Sequence, residues 1–206
     1  KFAWGKTNRS DYEDIQFGGK GINVSKVLAN LERETVALGF IAGFTGDALD
    51  RAVCKTGVKT NFIHLENGNT RINVKLKGET ETEINAQGPT ITEKDVLKLY
   101  ERLDLVSSGD TLVLAGSVPS GLPQDIYERI MSRLQGKGIR FAVDATGELL
   151  TNVLKYQPFL IKPNRAELEE IFSQKLPRDE DIAAAAKELK RKGAVNVLIS
   201  LGGDGA

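Results

Sequence analysis

In the second part of the chain, apolar runs of strand length alternate with amphipathic runs of helix length. Strand-like runs lie at 111–115, 140–143, 159–161 and 196–199. Helix-like runs lie at 124–135, around 168–171 and at 179–192. Alternation of this kind predicts parallel β-α units with helices on both faces of the sheet.

An earlier segment follows a different period. Residues 71–77 strictly alternate polar and apolar side chains, and Gly78 separates them from a further run at 79–84. The pattern predicts an antiparallel hairpin with one apolar face. Because a two-stranded hairpin is marginally stable by itself, we expect residues 62–65 and the N-terminal segment up to residue 17 to complete a small sheet.

We interpret this small sheet as a lid that stands off a main domain. The predicted organisation is an α/β core over residues 18–61 and 85–206, with a β-sheet lid over residues 1–17 and 62–84. We expect the apolar face of the lid to be buried, either against the main domain or against a second copy of the chain.

The composition excludes several classes of protein. The 206 residues carry 28 basic and 28 acidic side chains, whereas a strongly electrostatic nucleic-acid binder has a clear basic excess. No stretch approaches the roughly 18 to 20 apolar residues that span a bilayer, and the first residues show no secretion signal. Cys54 is the single cysteine, which excludes an intrachain disulfide. We expect a cytoplasmic protein without nucleic-acid or membrane partners.

A glycine-rich motif, Gly-Gly-Lys-Gly at 18–21, opens a helix whose predicted apolar face is formed by Val24, Val27, Leu28 and Leu31. Glycines let a ligand approach the backbone, and a helix N-terminus beside a lysine favours an anion. Taken alone, the motif is explained more simply as a turn with a surface lysine. It has neither the Walker A spacing nor that of a dinucleotide-binding fingerprint.

Each of the predicted strands from 111 onward runs directly into a polar or glycine-containing loop. These loops begin at Gly116, Asp144, Lys162 and Ser200. Open parallel sheets bind ligands at the carboxyl ends of their strands. We therefore expect the loops to converge on one edge and form a ligand crevice. The alternative is that strand-to-helix loops are polar and glycine-rich in any protein.

Seven segments together resemble the ribokinase-like sugar kinases of the phosphofructokinase B type. They are Gly-Gly-Lys-Gly-Ile-Asn-Val (18–24), Gly-Phe-Thr-Gly (43–46), Thr-Arg-Ile-Asn-Val-Lys (70–75), Leu-Ala-Gly-Ser-Val-Pro (114–119), Val-Asp-Ala-Thr-Gly-Glu (143–148), Lys-Pro-Asn-Arg-Ala-Glu (162–167) and Ser-Leu-Gly-Gly-Asp-Gly-Ala (200–206). Each is a weak signal, whereas seven in the family's order are specific. The resemblance implies a three-layer α/β/α core with a mostly parallel sheet, a small antiparallel β lid, ATP and Mg²⁺ as cofactors, and a sugar phosphate as substrate.

The resemblance also implies roles on the sugar side of the site. Gly19, Lys20 and Asn23 match the family's sugar-phosphate loop. Arg71 matches a lid arginine that reaches the substrate phosphate, and Ser117 matches a further substrate contact. The alternatives are an exposed strand arginine at position 71 and a turn cap at position 117.

On the nucleotide side, the matching residues are Lys162, Asn164, Ser200, Gly202 and Gly205. Asn164 and Glu167 also match an N-x-x-E pair that organises magnesium through water. Such a sparse set suits Mg²⁺, which keeps several waters and takes few carboxylates. The alternative is a helix cap, with Asn at the N-cap and Glu at the third helical position. Asp144 matches an active-site aspartate near the metal and the phosphates, and helix capping explains it equally well.

Within the family, residues 70–75 followed by Glu83, Ile84 and Asn85 look like the branch that phosphorylates the 6-hydroxyl of fructose 1-phosphate. The alternatives are a tagatose-6-phosphate or fructose-6-phosphate kinase of the same family, and a non-catalytic fragment that binds sugar phosphate or nucleotide. The apolar face of the lid indicates a homodimer with its lids clasped together.

Two departures from the family's pattern concern the ends of the chain. The family begins with an Asn-Pro strand and a sugar-binding aspartate, and it ends with a Gly-Ala-Gly-Asp motif whose aspartate deprotonates the attacking hydroxyl. Neither occurs here. We therefore expect a chain truncated at both ends, with the catalytic aspartate beyond Ala206. Asp204 is not expected to replace it, because its neighbours match the nucleotide loop. We interpret His64 as a lid-strand residue and Cys54 as a packing residue.

Overall fold

The computed structural model describes residues 3–78, 80–119 and 121–206. Glu79 of the predicted hairpin and Ser120 of a predicted crevice loop lie outside the described residues. The chain divides into two compact units, one up to Ile91 and the other from Thr92 to Ala206. None of the described helices is long and apolar enough to cross a membrane.

The first unit is built from short strands and helices. Its elements are α1 (Lys20–Asn30), β1 (Val36–Ala37), β2 (Phe40–Ala42), α2 (Gly43–Cys54), β3 (Lys59–Thr60), β4 (Ile63–Leu65), β5 (Asn73–Lys77) and β6 (Glu81–Asn85). β1 pairs with β3 and β2 pairs with β4, both in parallel, whereas β5 and β6 are antiparallel.

The core of the first unit lies between the parallel strands and the helices. Its buried members are Ala37, Ile41, Val53, Val58 and Phe62, with Ile22, Ala29 and Leu49 packed against them. Burying such a side chain is favourable by roughly 1.5–3 kcal/mol. The short strands are therefore held to α1 and α2 chiefly by apolar packing.

The predicted hairpin at 71–84 is confirmed. β5 and β6 are joined in register, with Asn73 opposite Asn85 and Val74 opposite Ile84. Lys75 bridges Glu81 and Glu83 across the strands. These exposed ion pairs contribute little, as is usual at a surface.

The strand at 63–65 does not extend this hairpin, contrary to expectation. β4 pairs in parallel with β2, which places Ile41 opposite His64. Ile63 and Leu65 are buried and His64 is exposed, so the alternation in this segment reflects packing within the α/β part of the unit. No strand occurs in the described residues of the N-terminal segment, 3–17. The boundaries drawn for core and lid remain a prediction.

Two further interpretations in this unit were wrong. The face of α1 that enters the core is rotated from the predicted one. Val27 and Leu31 are exposed, whereas Ser25 is buried and its hydroxyl lies 3.0 Å from that of Thr35. Cys54 is exposed at the end of α2 rather than packed, because the buried position of that turn is occupied by Val53.

The second unit is built around a parallel sheet. Its elements are α3 (Glu93–Leu103), β7 (Thr111–Ala115), α4 (Ile126–Leu134), β8 (Arg140–Asp144), α5 (Gly147–Thr151), β9 (Leu160–Ile161), α6 (Arg165–Phe172), α7 (Asp179–Arg191) and β10 (Asn196–Val197). Short 3₁₀ turns lie at Leu154–Tyr156 and Gly202–Asp204.

This sheet has the order β10-β9-β8-β7, and all of its neighbouring strands are parallel. Each strand-like run predicted from 111 onward is therefore confirmed as a strand. The most deeply buried side chains come from both the sheet and the helices, and they include Met131, Leu134, Val143, Leu150, Ile161, Leu168 and Leu189.

A capping box begins α3. The Thr92 hydroxyl accepts from the backbone N–H of Asp95, and the Asp95 carboxylate accepts from the N–H and the hydroxyl of Thr92. Lys98 lies 3.0 Å from the same carboxylate. The hydrogen bond from the Thr92 side chain, followed by that from Lys98, lowers the pKa of Asp95 below its ordinary value.

The lowered pKa gives the unit a specific acid sensitivity. A carboxyl group with a depressed native pKa stabilises the fold above its unfolded pKa of about 4, and this contribution is lost as the pH falls through the native pKa. We expect Asp95→Asn to lower the free energy of unfolding at pH 7 and to have a smaller effect at pH 3. Urea unfolding at both pH values measures this. Glu101→Gln, an exposed change on the same helix, is the control. An equal loss at both pH values would contradict the assignment.

Candidate functional site

The glycine-rich loop at the start of α1 has the geometry of an anion-binding helix terminus. Gly19 is the N-cap with φ 149°, a conformation that favours glycine. No side chain caps α1 and no acidic residue lies in its first turn. The N-terminal N–H groups and the exposed Lys20 therefore present positive charge at this end of the helix.

The loop is braced from within the first unit. The Lys26 ammonium donates to the backbone carbonyl of Phe17, which precedes the glycines. A Cβ on Gly18 would lie 2.9 Å from Oδ1 of Asn23, so the Asn23 amide sits directly against this glycine. The predicted loop residues Gly19, Lys20 and Asn23 are thus neighbours on one turn.

Arg71 lies at the root of the hairpin in the same unit. Its side chain is exposed, just before β5 begins at Asn73. The preceding residue, Thr70, is hydrogen-bonded to the start of α2. An exposed guanidinium on an anchored backbone suits recognition of a phosphate by paired hydrogen bonds.

The second unit gathers the other predicted residues at the carboxyl ends of its strands. The Gly116 N–H donates to the carbonyl of Asp144 at 3.1 Å, which links the ends of β7 and β8. Beyond β9 and β10, Asn164 and Ser200 form a parallel bridge. The convergence of the loops on one edge is therefore confirmed, while the binding roles of their residues remain a prediction.

Charge at this edge is partly compensated. The Lys162 ammonium lies 3.4 Å from Oδ2 of Asp144. The lysine side chain is 40% exposed and the aspartate only 15% exposed. A positive and a negative group therefore lie side by side at the ends of β8 and β9. The lysine would attract a polyphosphate, and the carboxylate would attract its counter-ion.

Tyr127 belongs to this edge, although the sequence pattern did not single it out. Its hydroxyl donates to the carbonyl of Gly116 at 3.1 Å, just before Ser117. Burial, and then the charge of Asp144, raises the pKa of Tyr127 to about 12, so the phenol keeps its proton. In the sequence, Tyr127 is marked only by its place next to Ile126 in the predicted helix at 124–135. That position does not reveal a hydrogen bond to Gly116.

Asn164 and Glu167 form the capping box of α6. The Asn164 side chain accepts from the N–H of Glu167 at 2.8 Å, and the Glu167 carboxylate accepts from the N–H of Asn164 at 2.8 Å. The alternative reading as a helix cap is thus correct for their contacts. It does not exclude a second role, because only one carboxylate oxygen of Glu167 is bonded in the box and each oxygen has two lone pairs.

The loop after β10 is a compact glycine turn. The Leu201 N–H donates to the carbonyl of Gly205 at 2.7 Å, closing the 3₁₀ turn Gly202–Asp204. Gly202 and Gly205 have φ angles of 65° and 91° and are exposed. A turn of this kind exposes backbone groups to which a ligand can come close.

The predicted residues fall into both units. The first unit holds Gly19, Lys20, Asn23 and Arg71. The second unit holds Ser117, Asp144, Lys162, Asn164, Glu167, Ser200, Gly202 and Gly205. Within the described ranges, the side chains form no cluster of three or more His, Cys, Asp or Glu that could hold a metal ion by itself. The candidate donors Asp144, Asn164 and Glu167 are few, and such a set suits a cation that takes most of its ligands from phosphates and water, as Mg²⁺ does.

Comparison with known proteins defines the class. Residues 4–206 match the family described as pfkB family carbohydrate kinase. The chain therefore belongs to the pfkB family of carbohydrate kinases. It is 42% identical to a 1-phosphofructokinase of Bacillus subtilis over 205 residues, covering 100% of this chain and 67% of that protein. It is 36% identical to a D-tagatose-1-phosphate kinase of Bacillus licheniformis, covering 97% of this chain and 66% of that protein.

The fold agrees with this membership. The tetrameric inhibited form of phosphofructokinase-2 from Escherichia coli superimposes with a TM-score of 0.87 at 28% identity, covering 98% of this chain and 68% of that chain. The fold is ribokinase-like, with a parallel sheet, helices and a small antiparallel sheet, as the sequence predicted. The chain spans about two thirds of the length of the relatives it matches.

The capping box gives a prediction that does not depend on catalysis. We expect Asn164→Ala to lower the free energy of unfolding by about 1 kcal/mol, because it removes the N-cap acceptor. Glu167→Gln should change it by less than about 0.5 kcal/mol, since glutamine also completes a capping box. Denaturant midpoints measure both. Asn164→Ser, which keeps an acceptor, is the control, and an unchanged midpoint for Asn164→Ala would contradict the cap.

Proposed function

We propose that the protein transfers the γ-phosphoryl group of ATP to the 6-hydroxyl of fructose 1-phosphate, forming fructose 1,6-bisphosphate. The observation that carries this proposal is the 42% identity to a 1-phosphofructokinase along the whole chain. The Thr-Arg-Ile-Asn-Val-Lys segment at 70–75 supports the same sugar phosphate. Membership of a carbohydrate kinase family supports the reaction class.

The first unit would bind the sugar phosphate. Lys20 and the N-terminal N–H groups of α1 present positive charge, and Arg71 adds a planar guanidinium suited to a phosphate. The Asn23 amide, held against Gly18, would bind sugar hydroxyl groups. In the second unit, Ser117 directly follows Gly116, whose carbonyl accepts from Tyr127, and Ser117 is proposed as a substrate-binding residue.

The nucleotide would bind at the carboxyl edge of the parallel sheet. The positive charge of Lys162 suits the phosphates of the nucleotide. Ser200 would offer its hydroxyl group to the nucleotide, and Gly202 and Gly205 would offer backbone groups. Glu167, with Asn164, would hold Mg²⁺ through water, and Asp144 would lie near the same ion. The magnesium ion, when bound with ATP, neutralises developing charge on the transferring phosphoryl group.

The general base is proposed to lie in a Gly-Ala-Gly-Asp motif outside these residues. We do not propose Asp204 for that role, because the residues around it match the family's nucleotide loop. All kinetic tests therefore use the full-length protein. We also propose that the protein acts in the cytoplasm, because ATP and sugar phosphates are available there.

A D-tagatose-1-phosphate kinase activity is the second candidate, because a relative of that name is 36% identical over 200 residues. Both candidates act on a ketohexose 1-phosphate, so the same phosphate-binding residues serve either. Tagatose 6-phosphate and fructose 6-phosphate, and binding without turnover, complete the alternatives.

Turnover on a substrate panel tests the proposal. We expect Mg²⁺-dependent ADP release with fructose 1-phosphate at a kcat/KM at least about tenfold above that with tagatose 1-phosphate, tagatose 6-phosphate or fructose 6-phosphate. Preference for another sugar would replace the proposed substrate. Lack of turnover on all of them would favour a binding protein.

The variant Glu167→Gln distinguishes the proposed magnesium-binding role of Glu167 from its role in the helix cap. Because Glu167→Gln keeps the capping box, we expect it to raise the Mg²⁺ concentration for half-maximal turnover by roughly tenfold without changing stability. An unchanged Mg²⁺ dependence of turnover would contradict the proposed role of Glu167 in holding the metal ion.

We also propose a homodimer formed through the hairpin. Ile72, Val74 and Ile84 are 59%, 43% and 57% exposed in the single chain, and Val74 and Ile84 are opposite each other. Large apolar side chains gathered on one exposed face favour burial in an interface. A related phosphofructokinase-2 forms a tetramer, which is compatible with this proposal.

The dimer is tested by charge on that face. We expect Ile72→Glu with Val74→Glu to give monomers by light scattering, since burying two carboxylates is unfavourable. The control pair, Asn73→Glu with Lys77→Glu, introduces carboxylates on the opposite face of the strand. It should leave the mass unchanged. An unchanged mass for the first pair would overturn this interface.

A further inference from the structure

Thr70 is anchored to the start of α2 through all of its backbone and side-chain polar groups. Its N–H donates to the carbonyl of Ala42 at 2.9 Å, and its hydroxyl accepts from the N–H of Ala42 at 2.9 Å. The Thr45 hydroxyl donates to the carbonyl of Thr70 at 2.8 Å. The backbone immediately before Arg71 is thus fixed to the junction of β2 and α2.

The Gly-Phe-Thr-Gly motif at 43–46 provides the room for this anchor. Gly43 has φ 57°, and a Cβ there would lie 2.2 Å from Oδ1 of Asn69. A Cβ on Gly46 would lie 2.9 Å from the Thr70 hydroxyl. Both glycines therefore allow the 69–70 segment to approach α2 closely, which explains a motif that the proposed ligand contacts leave unused.

Arg71 is supported on a second side by Gly88. A Cβ on Gly88, whose φ is 83°, would lie 3.4 Å from Cβ of Arg71 and 4.0 Å from its Cγ. The base of the arginine side chain therefore lies against a glycine backbone, while the residue as a whole is exposed. Restriction at the base leaves fewer arginine conformations to be lost when its guanidinium binds a ligand.

We propose that Thr70 is a positioning residue for Arg71. Together with Thr45 and the glycines at 43 and 46, it holds the base of Arg71 so that the guanidinium is preorganised for the phosphate of the sugar phosphate. A binding group works best when its own backbone and rotamers are fixed by supporting hydrogen bonds. The inference rests on the proposed function, because that function gives Arg71 its ligand.

Substitution of the hydroxyl tests the proposal in the full-length protein. Thr70→Val keeps the shape but removes the acceptor for the Ala42 N–H. We expect it to raise KM for fructose 1-phosphate and the Kd measured by calorimetry by about tenfold, with kcat changed less than about twofold. Thr70→Ser keeps the hydroxyl and should recover most of the affinity. If Thr70→Val does not fold, Thr45→Val removes one hydrogen bond and should show the same effect in weaker form.

Coupling to Arg71 separates positioning from general stability. We expect Arg71→Ala to weaken binding strongly, and Thr70→Val to add less than about twofold in the Arg71→Ala background. Effects that multiply would overturn the proposal. Thr56→Val is the matched control, since the Thr56 hydroxyl donates to the Val53 carbonyl at 2.7 Å in the same unit. It should leave KM and Kd unchanged.

The outcomes distinguish this inference from the proposed function. Binding of fructose 1-phosphate without turnover overturns the function, while the Kd values still decide the role of Thr70. Turnover with a Thr70→Val effect that is independent of Arg71 overturns the positioning role alone. Absence of both binding and turnover in the unaltered protein overturns both.

Discussion

The parallel register of β7 to β10 is the constraint on which the second unit depends. Parallel strands run in the same direction, so their carboxyl ends lie at a single edge. The register brings Ala115 opposite Asp144 and Val143 opposite Ile161, and the Asn164–Ser200 bridge continues it beyond the strands. Residues that are far apart in sequence are therefore neighbours at this edge.

At this edge, the side chains proposed to bind the nucleotide and its metal ion also make structural contacts. Asn164 and Glu167 each accept from the other's backbone N–H at the start of α6, and Asp144 pairs with Lys162. Each of these contacts fixes a polar side chain before any ligand arrives. Preorganised charge of this kind binds a charged ligand with a smaller loss of conformational freedom.

The first unit achieves a comparable effect with backbone contacts and glycines. The uncapped start of α1 offers N–H groups to an anion, and the Thr70 anchor joins the hairpin root to α2. The exposed face of Ile72, Val74 and Ile84 continues from that anchor. The proposed phosphate recognition and the proposed interface between copies would therefore depend on the same short segment.

The sequence by itself determined the strands from 111 onward, the hairpin at 71–84 and the family, because period, turn residues and ordered motifs are local signals. Only the tertiary structure decided which partner each element takes. The alternation at 63–65 is the same for an antiparallel lid strand as for β4, and pairing with β2 is set by packing against distant residues. The exposed Val27 and Cys54, the bond from Tyr127 to Gly116 and the anchoring of Thr70 likewise depend on neighbours brought together by folding, which one sequence does not specify.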